Sequence, residues 1–205
     1  MKAGTKGERT RRRIVERSAP IFNTRGYAGA SMSDLVRASG VEKGGIYNHF
    51  SGKEELALAS FDHATALMRE RFRVAMEERD GALDRLFAVV DAFGVMVEDP
   101  PVVGGCPVLN TAVDSDDANP ALKERAREAM EGWLRLVGRL VKEGIEGGEL
   151  RPDADPRRTA SVVVAALEGA LMLAKLHDDP AHMRRAVDHV KGHLRSLSVA
   201  VGSGA

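Results

Sequence analysis

Apolar residues recur along the chain at steps of three and four, and strict alternation is nearly absent, so the pattern predicts an all-α protein. The first stripe is Ile14, Ala19, Ile21 and Phe22, on a helix expected from about 6 to 25. Pro20 inside it should kink the helix, and Gly26 should stop it. Ser31, followed three residues later by Asp34, makes a carboxylate variant of the capping box. It opens a short helix carrying Leu35, Val36 and Ala38, ended by Gly40. A further short helix spans about 42–50. Ser51-Gly52-Lys53-Glu54 then reads as a second capping box, ahead of a long helix striped by Leu58, Phe61, Thr65, Met68 and Phe72.

Asp80 is the expected cap of the next helix, whose stripe is Leu83, Leu86, Val90, Phe93 and Val97, and Pro100-Pro101 end it. Residues 102–118 are irregular, with one short helix over 108–113. Three copies of one start signal follow: Asn119-Pro120, Asp155-Pro156 and Asp179-Pro180. Each puts a capping side chain ahead of a proline whose missing N–H costs nothing in a first helical turn. The total is about nine helices, read as an N-terminal domain over 1–52 and a C-terminal one over 53–201. The helix over 156–176 is apolar nearly all round from 160 to 174, so two of its sides need cover. With the helix over 180–201 it is expected to form a four-helix interface across a two-fold axis.

Composition narrows the classes. The chain has 205 residues and one cysteine, Cys106, which excludes an intramolecular disulfide framework. The first thirteen residues are charged and lack the apolar stretch of a secretion signal. The 160–174 run falls short of the roughly 20 apolar residues that span a bilayer. A cytoplasmic protein is the expectation, and the Gly-Ser tail reads as disordered. The zero net charge hides an asymmetry. Residues 1–60 hold eleven Lys and Arg against six acids, while 61–205 hold nineteen against twenty-four. A basic first third suggests a polyanion-binding head.

Residues 31–50, SMSDLVRASGVEKGGIYNHF, have helix-turn-helix spacing, with the turn at Ser39-Gly40-Val41. Leu35, Ala38, Ile46 and Phe50 can close a small core against Ile14 and Phe22. Lys43, Gly44, Gly45, Tyr47, Asn48 and His49 are left outside. Tyr47 and Lys53 suit phosphates, and Asn48 and His49 suit base edges or phosphates. Gly44 and Gly45 cost a short helix about 1 kcal/mol each against alanine, which a close backbone approach to a duplex would explain.

From Thr10 to about Phe61 the chain resembles the DNA-binding domain of tetracycline-repressor-like (TetR) regulators. The matching residues include Gly26-Tyr27, Gly40-Val41, Lys43-Gly44, Ile46-Tyr47, His49-Phe50, Lys53 and Glu55-Leu56. GGCPVLNTA at 104–112 resembles one branch of that family. The resemblance implies a ligand-responsive regulator, most simply a repressor binding a palindromic operator as a dimer, released by a small molecule. It implies backbone contacts for Ser31 and Met32 and a base-facing Ser33. It also implies recognition positions for Lys43, Gly45, Asn48 and His49, and phosphate positions for Tyr47 and Lys53. Two features depart from the pattern: Pro20 replaces a helix former, and Ser33 and Asn48 are too short for the usual arginine-to-guanine contact. Arg9, Arg11, Arg12 and Arg13 either add phosphate or minor-groove contacts or form a solvated basic end.

An effector pocket in the C-terminal domain would draw on Met68, Phe72, Phe93, Met96, Met130, Trp133 and Met172, though for most of them a plain core role is the simpler reading. Glu168, a carboxylate within an apolar run, could orient a polar or cationic ligand or bond across the dimer. Asn110 is a second polar candidate. Cys106 reads as a buried structural cysteine rather than a sensor. His189 and His193 have metal spacing without a third ligand, so no metal or other cofactor is expected. The rival reading is a helical small-molecule-binding protein or enzyme without DNA binding. Against it, the sequence shows no phosphate-cradling glycine loop, metal triad or nucleophile–base pair.

Overall fold

The computed structural model describes residues 5–115 and 119–199. Val201, the end of the 180–201 segment and the Gly-Ser tail lie outside them. Nine α-helices run through the described residues: α1 Lys6–Gly29, α2 Met32–Ser39, α3 Lys43–Tyr47, α4 Lys53–Met76, α5 Ala82–Gly94, α6 Pro107–Asp114, α7 Pro120–Glu146, α8 Pro156–His177 and α9 Ala181–Ser196. A single turn of 3-10 helix, Val95–Val97, follows α5.

The helix boundaries follow the caps, with several corrections. Pro20 leaves α1 helical, and the break falls at Gly26, which takes φ 69°, ψ 175° before one more turn to Gly29. Glycine accepts that conformation at little cost. Ser51 does bond to a glutamate of α4, but one-way: its N–H and hydroxyl both donate to Glu55 rather than Glu54. Asp80 caps nothing: Gly81 is the N-cap of α5, and the Ala82 and Leu83 N–H groups donate to the Glu149 carboxylate at 2.8 and 3.1 Å. A partner 66 residues downstream has no local signature. Asn119 and Asp155 cap α7 and α8 as expected. Asp179 caps α9 through the Ala181 N–H, one residue later than the proline rule places it.

The chain forms two compact units, and neither is a contiguous segment. The first comprises 1–68 and 100–129, the second 69–99 and 130–205. Helices α4 and α7 each contribute to both, so a single cut near residue 52 does not describe the contacts. In the first unit α1 packs on α2 and α6, and α2 packs on α3. Its core is Ile14, Val15, Leu35, Ile46, Phe50 and Leu56, with Phe22, Met32 and Val41 packed against it. In the second unit α9 packs on α8 and α5.

Helix α8 corrects one expectation. At 22 residues it is long and apolar enough to cross a membrane by length and composition alone. Half of that stretch is buried within the protein, as in the core helix of a globular unit.

Candidate nucleic-acid interface

The recognition helix is short and held from three sides. The Ser31 hydroxyl accepts from the Asp34 N–H at 3.1 Å, and the Ser31 N–H donates back to Asp34 at 3.2 Å, fixing the start of α2. Arg25 and Arg37 both pair with Asp34. The Ser31 hydroxyl and N–H, then Arg25, hold the Asp34 carboxyl far below the usual carboxylate range. The turn is set by Gly40 in the left-handed region at φ 64°, and by Ser39, whose hydroxyl donates to Val36 O and accepts from the Val41 N–H. Ile46 and Phe50 anchor the far side in the core.

Five residues, Lys43–Tyr47, are α-helical, fewer than the eight or nine expected, and a hydrogen-bonded turn continues through Asn48 to Phe50. Lys43, Gly44, Tyr47 and Asn48 are exposed, as are Ser31 and Ser33 one helix earlier. His49 and Gly45 are half-buried.

The two glycines separate in role. A Cβ on Gly44 would meet nothing within 4 Å, so its bareness serves no packing inside the chain. A Cβ on Gly45 would stand 2.7 Å from Val41 Cγ1, so this glycine is needed to let Val41 plug the turn. Close approach to a duplex is therefore a reading for Gly44, and helix packing accounts for Gly45. Met32 likewise packs inward on the head core, and the Ser31 hydroxyl is engaged as a cap.

Lys53 lies over the Tyr27 ring, 4.4 Å from its centroid, and Arg11 lies 4.6 Å from the centroid of Phe50 while pairing with Glu55 at 3.8 Å. The Ser51 N–H and hydroxyl, then Arg11, hold the Glu55 carboxyl below its ordinary value. These contacts hold the charged ends of two cations on the head.

Sequence reasoning missed how α6 holds α1. The Asn110 amide donates to Asn23 O and Oδ1 and to Gly104 O, all at 2.9–3.0 Å. The Asn23 amide donates to Val103 O and Gly105 O. Asp114 accepts from the Tyr27 N–H at 2.6 Å, and any side chain on Gly26 would collide with its carboxylate. Asn110, expected to serve a ligand, is thus occupied in a structural clasp. The glycine pair Gly104-Gly105, at φ 116° and 89°, was the one local signal of this unusual loop. Cys106 is buried at the N-cap of α6.

The other pocket residues divide. Met68 is buried in the first unit. In the second, Phe72, Phe93, Met96, Trp133 and Glu168 are buried and Met130 is half-buried. Trp133 brings two of them together, with ring centroids 5.7 Å from Phe72 and 4.8 Å from Phe93. Met172 does not join them: it is 54% exposed on the outer face of α8. Glu168 lies on the inner face of α8, among residues buried within its own unit. His189 and His193 belong to no group of three potential metal ligands among the described residues.

Residues 14–60 match the family described as bacterial regulatory proteins, tetR family, and residues 82–190 match the tetracyclin repressor-like C-terminal domain. A TetR transcriptional regulator from Chloroflexus aurantiacus J-10-FL is 44% identical, covers 94% of this chain and 98% of its own, and superposes with a TM-score of 0.91. A TetR-family regulator from Cytophaga hutchinsonii is 31% identical over 97% of this chain and 99% of its own, with a TM-score of 0.89. Among curated proteins, the HTH-type transcriptional repressor DhaR of Mycobacterium sp. (strain GP1) is 25% identical over 167 residues, 81% of this chain and 82% of that protein.

Proposed function

The chain belongs to the tetR family of DNA-binding transcription regulators, which are not enzymes, and from that premise we propose that it is a homodimeric repressor of a palindromic operator, released by a small-molecule effector held in its second unit. It acts in the cytoplasm, where the bacterial chromosome lies. The observation that carries the DNA reading is α3 itself: a short helix anchored by Ile46 and Phe50, with Lys43, Gly44, Tyr47 and Asn48 exposed. Tyr47 and Lys53 take phosphates, and Asn48 reads base edges. Ser33 and Lys43 flank that reading, and Gly44 admits the backbone. The name of the mycobacterial relative supports repression over activation.

The outer face of α8 supports the dimer. Val162, Met172, Leu173 and Leu176 are exposed at helical spacing, and a Cβ on Gly169 between them would meet nothing within 4 Å. An exposed apolar stripe of this length calls for a partner surface. A second copy meeting it across a two-fold axis covers both stripes at once. Such a dimer sets two recognition helices about 34–36 Å apart, one turn of DNA.

The test is anisotropy titration of the full chain against a duplex from its own promoter region, across a salt series. Specific binding is expected, tightening as salt falls. Lys53→Gln should weaken binding to all sequences and lower the salt slope by about one. Binding no tighter than to a scrambled duplex of the same length defeats the reading.

A further inference from the structure

Resting on the effector reading above, we propose that the second unit binds an uncharged aromatic molecule bearing one hydrogen-bond acceptor, held by the Trp133 indole N–H between Phe72 and Phe93. Trp133 is 6% exposed, and its Nε1–H has no acceptor among the described residues. An indole N–H donates only, and when buried it usually finds a partner. An orphaned buried donor is costly, a cost that a native protein tolerates where something outside the chain supplies the acceptor.

The surroundings set the chemistry of that partner. Phe72 and Phe93 flank the indole at 5.7 and 4.8 Å between centroids, both rings buried, so the neighbourhood is aromatic. Met96 is buried in the same unit. Among the described residues the one buried charged side chain is Glu168, and it is negative; no lysine or arginine is buried. A carboxylate or phosphate entering here would lose its hydration with no buried cation to replace it. A ketone, ester, aldehyde or quinone oxygen accepts one hydrogen bond without that penalty. The site thus favours neutral carbonyl-bearing aromatics and rejects their acids.

Trp133 is the sole tryptophan, so the full-length, isotope-labelled protein gives one indole N–H resonance. It is titrated with three probes of one skeleton: acetonaphthone, ethylnaphthalene and naphthoate. Acetonaphthone should move the indole proton downfield and saturate. Ethylnaphthalene, lacking the carbonyl, should bind about five- to tenfold more weakly and give no downfield shift, the loss of one neutral hydrogen bond. Naphthoate should leave the resonance in place. Trp133→Phe should erase the preference for the ketone, read on the probe's own resonances, while the wild-type shift stands as evidence if that variant misfolds. An indole unmoved by acetonaphthone, an equal response to ketone and hydrocarbon, or tightest binding of naphthoate each overturns the proposal. Operator affinity is measured on the same sample, so loss of the DNA reading and loss of this site are separate results.

Discussion

In the first unit six polar side chains near the head are matched to backbone, Ser31, Asp34, Ser39, Asn23, Asn110 and Asp114 each closing a cap, a turn or a clasp, while the small Ser18 and Ser60 hydroxyls are buried without a partner among the described residues. The second unit keeps a buried indole N–H without an acceptor among the described residues, and an exposed apolar face. The contrast follows from what each must meet. A duplex presents a fixed surface, so the reading helix needs rigid support. On the reading proposed above, an effector and a second subunit would supply their own groups, leaving the surfaces that await them incomplete within one chain.

The contrast breaks most visibly on α8. Gly169→Arg has room within the chain but puts a long cation into the apolar stripe. Sedimentation should show monomers at concentrations where the wild type is dimeric, with helicity by circular dichroism unchanged. A persistent dimer would move the interface elsewhere.

Next come the two adjacent glycines, which the head uses differently. Gly45→Ala drives a methyl into Val41 and should destabilise the protein by about 1–3 kcal/mol in denaturant unfolding. Val41→Ala in the same chain should recover part of that loss. Gly44→Ala should stabilise by up to about 1 kcal/mol, since alanine is the better helix former, yet weaken operator binding. Equal stability effects at both positions would remove the distinction.

The smallest effect is acid sensitivity of the α2 cap. Asp34 has its folded pKa depressed below its unfolded value, so its contribution is full above the ordinary carboxylate range near 4 and lost as pH falls below it. Asp34→Asn should flatten that part of the stability–pH curve at the head. An unchanged curve would mean that the Ser31 cap and the Arg25 pair do not report on folding.

The sequence was most informative where partners lie close in the chain. The Ser31–Asp34 box, the Gly40 turn and the Asn119 and Asp155 caps are contacts within three residues, and each could be placed from spacing. What escaped depends on long separations: Glu149 capping α5, Asn110 holding Asn23, Asp114 holding Tyr27. Met172 and Glu168 show the same limit within one helix. An all-apolar run does not reveal which side faces inward, so a methionine expected inside lies outside. Trp133, Phe72 and Phe93 were individually legible as large apolar residues, but their meeting is a tertiary fact.

The α1–α6 clasp bears on the modular reuse of such heads. The loop and helix that grip Asn23 and Tyr27 are translated some 80 residues after them. A nascent head leaving the ribosome has its reading helix long before its brace. A graft of residues 1–60 onto a foreign body would leave the Asn23 amide and the Tyr27 N–H to water. A swap that keeps the donor's register must carry the stretch from Val103 to Asp114 along with it.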